Sequence, residues 1–174
     1  MITLPERPRL RPPSEAVRVS YLVGEQADCV HERKDPSWLG SASEDFPAHV
    51  RRIGGVQERW GVPSEVLWFT AGEHYLGTLV LRHRLTPELE RVGGHIGYHV
   101  VLPWRRQGHA TAMLRQALPL ARAAGLERVL VTCATRNAPS ARVIEANGGQ
   151  EDEPSGEERR FWIVVPPDRD GPGR

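Results

Sequence analysis

The sequence predicts one α/β domain: a central mixed sheet of about seven strands with helices on both faces. Three observations carry this. Apolar residues alternate at period two in some segments and recur at helical spacing in others, in the order strand, two helices, three strands, helix, strand, helix, two strands. Second, Ile96, Tyr98 and Val100 form a period-two run that passes through a short turn into Ala110, Met113, Leu114, Ala117 and Ala121 at helical spacing. Third, 174 residues suffice for one well-buried core. The domain is expected to span residues 1–165, with 166–174 a disordered tail opened by Pro166-Pro167.

Each element has its own signal. Arg9-Leu10-Arg11 reads as a short opening strand stopped by Pro12-Pro13. Ser14 caps a helix running towards Glu32, with Val17, Tyr21 and Cys29 or Val30 facing inward. Asp35 to Ser43 reads as a loop, and a second helix follows from Pro47 to Trp60, weakened by Gly54-Gly55. Glu65–Ala71 and Tyr75–Arg82 form a hairpin across Gly72-Glu73. Thr86 to Glu90 is a loop or helical turn. The fourth strand ends in Val100, Val101 and Leu102, and the central helix runs from Gly108 to Ala124, kinked at Pro119. Arg128–Ala134 is a buried strand, Asn137 opens the last helix, and 149–152 with 159–165 form a final hairpin.

Composition narrows the function. The net charge of +1 gives no field for nucleic acid or an anionic membrane. No long apolar run and no leader segment occurs, so a cytoplasmic protein without a membrane partner is expected. Cys29 and Cys133 lack metal-ligand spacing, and no metal is expected. A homodimer is compatible with the sequence, which does not fix the oligomeric state.

The chemistry concentrates at the strand-to-helix turn. Arg105-Arg106-Gln107-Gly108-His109-Ala110-Thr111 places small residues at 108 and 110 behind two arginines. Gly108 and Ala110 let another molecule approach the backbone, and the free N–H groups of a helix start favour an anion. The segment is therefore a candidate phosphate cradle. A Walker loop is excluded, because neither Lys-Ser nor Lys-Thr follows the glycine.

The order Val-x-Pro-x followed by Arg-x-x-Gly-x-Ala resembles the acyl-CoA pyrophosphate loop of the GNAT N-acetyltransferase superfamily. Asn137 to Gly149 resembles that superfamily's next helix, which opens at Asn and closes at Gly. The resemblance implies a GNAT-like sheet splayed between its fourth and fifth strands to admit the pantetheine arm. It implies acetyl-CoA as acyl donor and direct attack by a primary amine of a small-molecule or peptide acceptor. Cofactor contacts are then expected from Val100 and Val101 through their backbone, from Arg105, Arg106, Gln107, Gly108, His109, Ala110 and Thr111 in the cradle, and from Asn137 and Ser140. Ile144 stands where the family often has a tyrosine acid, which keeps a non-catalytic CoA-binding or sensor domain as the alternative. His95 occupies the position of a common family glutamate and is the candidate base, with His99, His83 and Tyr98 behind it. The acceptor is expected between Asp35–Phe46, with Trp38, Glu44 and Asp45, and the acidic final hairpin, with Glu151, Asp152, Glu153, Glu157 and Glu158.

Overall fold

A computed structural model describes residues 3–167; most of the expected tail, 168–174, lies outside them. The order is β1 (Arg9–Arg11), a 3-10 turn (Glu15–Val17), α1 (Arg18–Glu32), α2 (Trp38–Glu44), α3 (Phe46–Ile53), β2 (Val56–Arg59), β3 (Val62–Ala71), β4 (His74–Arg82) and α4 (Pro87–Arg91). Then come β5 (Ile96–Val100), a 3-10 turn (Leu102–Trp104), α5 (His109–Ala123), β6 (Arg128–Ala134), α6 (Ala138–Glu145), β7 (Gln150–Ser155) and β8 (Glu158–Val164).

The single mixed sheet of the sequence reading resolves into two antiparallel sheets. One has the order β1-β3-β4-β5, with β2 also paired to β3; the other is β6-β8-β7. They meet where the His95 amide donates to the Leu130 carbonyl at 2.7 Å and the Leu130 amide donates to His95 Nδ1 at 2.9 Å. Beyond that point no ladder joins β5 to β6 among the described residues, so the two strands diverge. α1 lies on the face of His99 and Thr78, and α5 on the face of Gly77, where a Cβ would meet Met113. Between α1 and the sheet, Tyr21 stacks on Trp68 with ring centroids 4.6 Å apart, and Phe46, His49 and Tyr75 complete an aromatic cluster. On the other face Met113, Leu114, Ala117 and Ala121 of α5 are fully buried.

Three boundaries differ from the sequence reading, each for a local reason. The expected helix 47–60 stops at Ile53: Gly54 takes an extended conformation and Gly55 turns at φ +69°, so Val56–Arg59 pairs with Val62–Glu65 as β2. The expected loop 35–43 contains α2, opened by an Asp35 side chain that accepts from the Ser37 amide. β5 ends at Val100, because a 3-10 turn containing Pro103 begins at Leu102, which is exposed. Ser14 caps as expected, accepting from the Ala16 amide, and Val17, Tyr21 and Cys29 face inward while Val30 is exposed. α5 continues through Pro119, which lies on its exposed side next to the exposed Arg115.

Candidate active site

The divergence of β5 from β6 leaves a strand edge unpaired. Arg82 donates to the His95 carbonyl and Val101 donates to the Leu76 carbonyl, which assigns the odd-numbered backbone groups of β5 to β4. Antiparallel alternation then points the amide groups of Tyr98 and Val100 into the gap. Val101 is thereby removed from the expected pantetheine contacts: its N–H is spent on β4 and its side chain is buried against Gly24 of α1. The Val100 carbonyl is also occupied, accepting from Arg105 Nε at 2.8 Å, so Val100 offers only its N–H.

The cradle lies at the end of that edge. Arg106 has φ +62° and Gly108 φ +81°, and together they fold the turn back so that Gly108 caps α5. A non-glycine residue in the left-handed region costs on the order of 1 kcal/mol and marks a turn held for a purpose. The first intrahelical bond runs from Ala112 to Gly108. The amides of Gln107, Gly108, His109, Ala110 and Thr111 have no acceptor among the described residues, and a Cβ on Gly108 would meet open space. A fifteen-residue helix thus presents its N-terminal amides and dipole at one spot.

The side chains around the cradle divide. Arg105 turns away from the cradle, donating to Asp28 at 2.8 Å and Glu32 at 2.9 Å on α1, so its charge is already paired. Arg106 is exposed and forms no ion pair among the described residues. Gln107 caps the Pro103 carbonyl. His109 packs its ring against Phe69 and Trp104, and burial lowers its pKa, which keeps it neutral. Across the gap, Asn137 Oδ1 accepts from the Ser140 amide, and the Tyr98 hydroxyl lies 2.9 Å from Ser140 Oγ. Ile144 is completely buried, an apolar core residue with no proton to give.

His95 is not placed to act as the base. It is 7 % exposed, and its Nδ1 is engaged by the Leu130 amide. Burial, with Arg128 and Arg82 nearby, lowers its pKa to about 4. This ring holds the two sheets together instead. Its folded pKa lies below the 6.5 of a free histidine, so the unfolded chain takes up the proton first, and the stability present above pH 6.5 is lost as pH falls towards 4. Chemical denaturation should show a loss of about 3 kcal/mol across that window, and His95→Gln should flatten the slope. An identical slope in both proteins would assign it to other groups.

The residues that the sequence reading missed lie on α1. Glu25 and Asp28 are each 7 % exposed. Glu25 Oε1 accepts from Tyr75 Oη at 2.5 Å and lies 3.0 Å from His99 Nε2. Burial works against the Glu25 charge, but the His99 and Tyr75 hydrogen bonds outweigh it and lower its pKa. Asp28 accepts from the Leu102 amide at 2.6 Å and from Arg105, pinning the turn to α1. The available signal was two carboxylates inside the Tyr21–Cys29 inward stripe, where charge is out of place.

A cleft of about 940 Å³ lies between α4, the β7–β8 tip and Trp60, lined by Glu88, Arg91, Val92, Glu157 and Glu158. Trp60 stacks on the Arg82 guanidinium, which in turn lies 3.6 Å from where a Gly97 Cβ would be. Gly97 and His99 share a face of β5, and the Arg82 guanidinium lies over Gly97 on that face. The expected acceptor walls are partly otherwise employed. Phe46 is buried, Asp45 caps α3, Glu151 pairs bidentately with Arg159, and Asp152 accepts from Trp162 Nε1.

The free amides, the left-handed turn and the open space over Gly108 fit the pyrophosphate of a CoA thioester, and the β5 edge fits its amide-bearing arm. Residues 9–150 match the acetyltransferase (GNAT) domain family. Among solved structures, the fold is similar to RimL, a ribosomal alpha-N-protein acetyltransferase in complex with coenzyme A, with TM-score 0.65, 14% identity and coverage of 94% of this chain and 97% of that one. It is also similar to Mycobacterium smegmatis RimJ in complex with CoA-disulfide (TM-score 0.60, 19% identity, 90% and 81% covered). A GNAT-family acetyltransferase from Bacillus anthracis aligns with TM-score 0.59 at 20% identity, covering 94% and 98%. No curated protein sequence matches the chain. No helix among the described residues is long and apolar enough to cross a membrane. With its family match over residues 9–150, most of its length, this chain belongs to the GNAT acetyltransferases, enzymes that use acetyl-CoA.

Proposed function

We propose that the protein transfers an acetyl group from acetyl-CoA to a primary amine by direct attack, the acceptor being a small molecule or a peptide. The observation that carries this reading is the unpaired β5 edge ending at the cradle. The cradle amides and Arg106 would hold the pyrophosphate, and the Tyr98 and Val100 amides would align the arm and polarise the acetyl carbonyl. The bound thioester supplies an activated acyl carbon with a thiolate leaving group. Ser140 and Tyr98 place two hydroxyls, 2.9 Å apart, across the gap between α6 and β5. RimL, an alpha-N-protein acetyltransferase, supplies the precedent for a protein α-amino acceptor.

One observation favours a second reading, a non-catalytic CoA-binding domain: Ile144 is buried where the family often has its acid. A thiol leaves with little protonation help, so the loss bears more on rate than on the class of reaction. Thiol release from acetyl-CoA over a panel of amines separates the two, since a sensor domain binds the thioester without releasing thiol.

The cleft predicts the sign of the acceptor's charge. Three carboxylates and one guanidinium line it beside the exposed Trp60, which suits a cationic acceptor. Glu157→Gln with Glu158→Gln should raise the acceptor KM severalfold and flatten its salt dependence, leaving acetyl-CoA affinity unchanged. Unaltered acceptor kinetics would return the tip to a solvated acidic turn.

A further inference from the structure

We propose that His99, held by Glu25, accepts the proton of the attacking ammonium; this rests on the acyl-transfer reading above. His99 is positioned from both sides. Its Nε2 lies 3.0 Å from a carboxylate that is itself 7 % exposed and anchored by Tyr75, whose hydroxyl is also 2.6 Å from Thr78 Oγ1. Its ring remains 44% exposed, and Nδ1 has no partner among the described residues. A carboxylate accepting from Nε2–H fixes the tautomer that leaves a lone pair on Nδ1, aimed at solvent.

The location fits the task. His99 sits between Tyr98 and Val100, whose amides face the gap. An amine at that stretch of the β5 edge lies beside the exposed His99 ring. One N–H bond of the ammonium breaks, and its proton goes to Nδ1. The freed nitrogen pair forms the bond to the acetyl carbon as the carbon–sulfur bond breaks. The nitrogen's second proton leaves with the thiol, and the imidazolium returns its proton to water.

The charged and titratable groups facing His99 are Glu25 and Asp28 from α1, Tyr75 from β4 acting through Glu25, and Arg105 from the turn after β5. Desolvation and Arg105 lower the His99 pKa, but the Glu25 hydrogen bond with the Glu25 and Asp28 charges outweighs them, and the net shift is upward. The base is then strong, and it is protonated and idle at acid pH.

The test is the pH profile of kcat/KM for the best amine of the panel, followed by thiol release. His99→Gln should lower kcat/KM by about 10²- to 10⁴-fold, as loss of a general base does, and remove the acidic limb, with acetyl-CoA affinity by calorimetry and the thermal melt unchanged. Glu25→Gln should move the acidic limb to lower pH, because the charge that raises the His99 pKa is gone; a merely structural Glu25 would not shift it. If His99→Gln keeps both rate and limb while the wild type turns over, the assignment is overturned and the acyl-transfer reading stands. Wild-type protein that binds acetyl-CoA yet releases no thiol with any amine overturns both.

Discussion

Acetyl-CoA affinity should fall by about 100-fold or more in Gly108→Val, equivalent to roughly 3 kcal/mol of binding. Two effects converge on this residue. Its φ of +81° lies in the region that β-branched side chains avoid. The space over its α-carbon is open, and an anion must enter that space to reach the unpaired amides of Gln107 to Thr111. A valine either fills the approach or pulls the turn out of shape, and both remove charge-assisted hydrogen bonds worth about 1.5–3 kcal/mol each. Backbone strain is controlled for at the other end of the same helix. Gly125 has φ +86° and equally open surroundings but faces no cradle. Gly125→Val should therefore match Gly108→Val in lost stability and keep its affinity for acetyl-CoA. Equal affinity in the two folded variants would remove the phosphate role from the turn.

A large stability effect is expected at Gly94. This residue has φ +61°, and a Cβ there would run into the Leu130 carbonyl, the group that accepts from the His95 amide. Gly94→Ala must then shift backbone where the His95 and Leu130 amides tie the β1–β5 and β6–β8 sheets together. We expect a loss of about 3 kcal/mol or more, seen as a drop in Tm of about 6–12 °C for a domain of this size. Gly156→Ala isolates the dihedral cost, since Gly156 has φ +60° with nothing near its Cβ direction. It should lose only about 1 kcal/mol. A Gly94 variant no less stable than the Gly156 variant would show that the sheets yield freely at their junction.

The cradle was legible because its signal is local. A strand, a glycine needing positive φ and a helix start are all written within Ile96 to Ala121, and backbone amides bind an anion whatever distant residues do. The Asn137 cap and the burial of Met113, Leu114, Ala117 and Ala121 were legible for the same reason, one turn of helix fixing each. The sequence alone thus determined the fold class, the turn that carries the free amides and the apolar faces that pack around it.

Tertiary structure decided what each polar side chain does. His95 and His99 share a strand face and a residue type, and only the neighbours separate them. Leu130 takes the Nδ1 of His95 at the sheet junction, whereas Glu25, 74 residues away along the chain, takes the Nε2 of His99 and leaves its Nδ1 free. Arg105 and Arg106 are adjacent, yet Asp28 and Glu32 claim the first and leave the second without an ion pair among the described residues. Which of two equivalent peptide groups faces the gap followed from the β4 register, which spends Val101 and spares Val100. Local pattern fixes backbone geometry, because turns and helix starts are short-range. The partner of a charge or a ring nitrogen is a long-range choice, made only when α1 packs across the sheet.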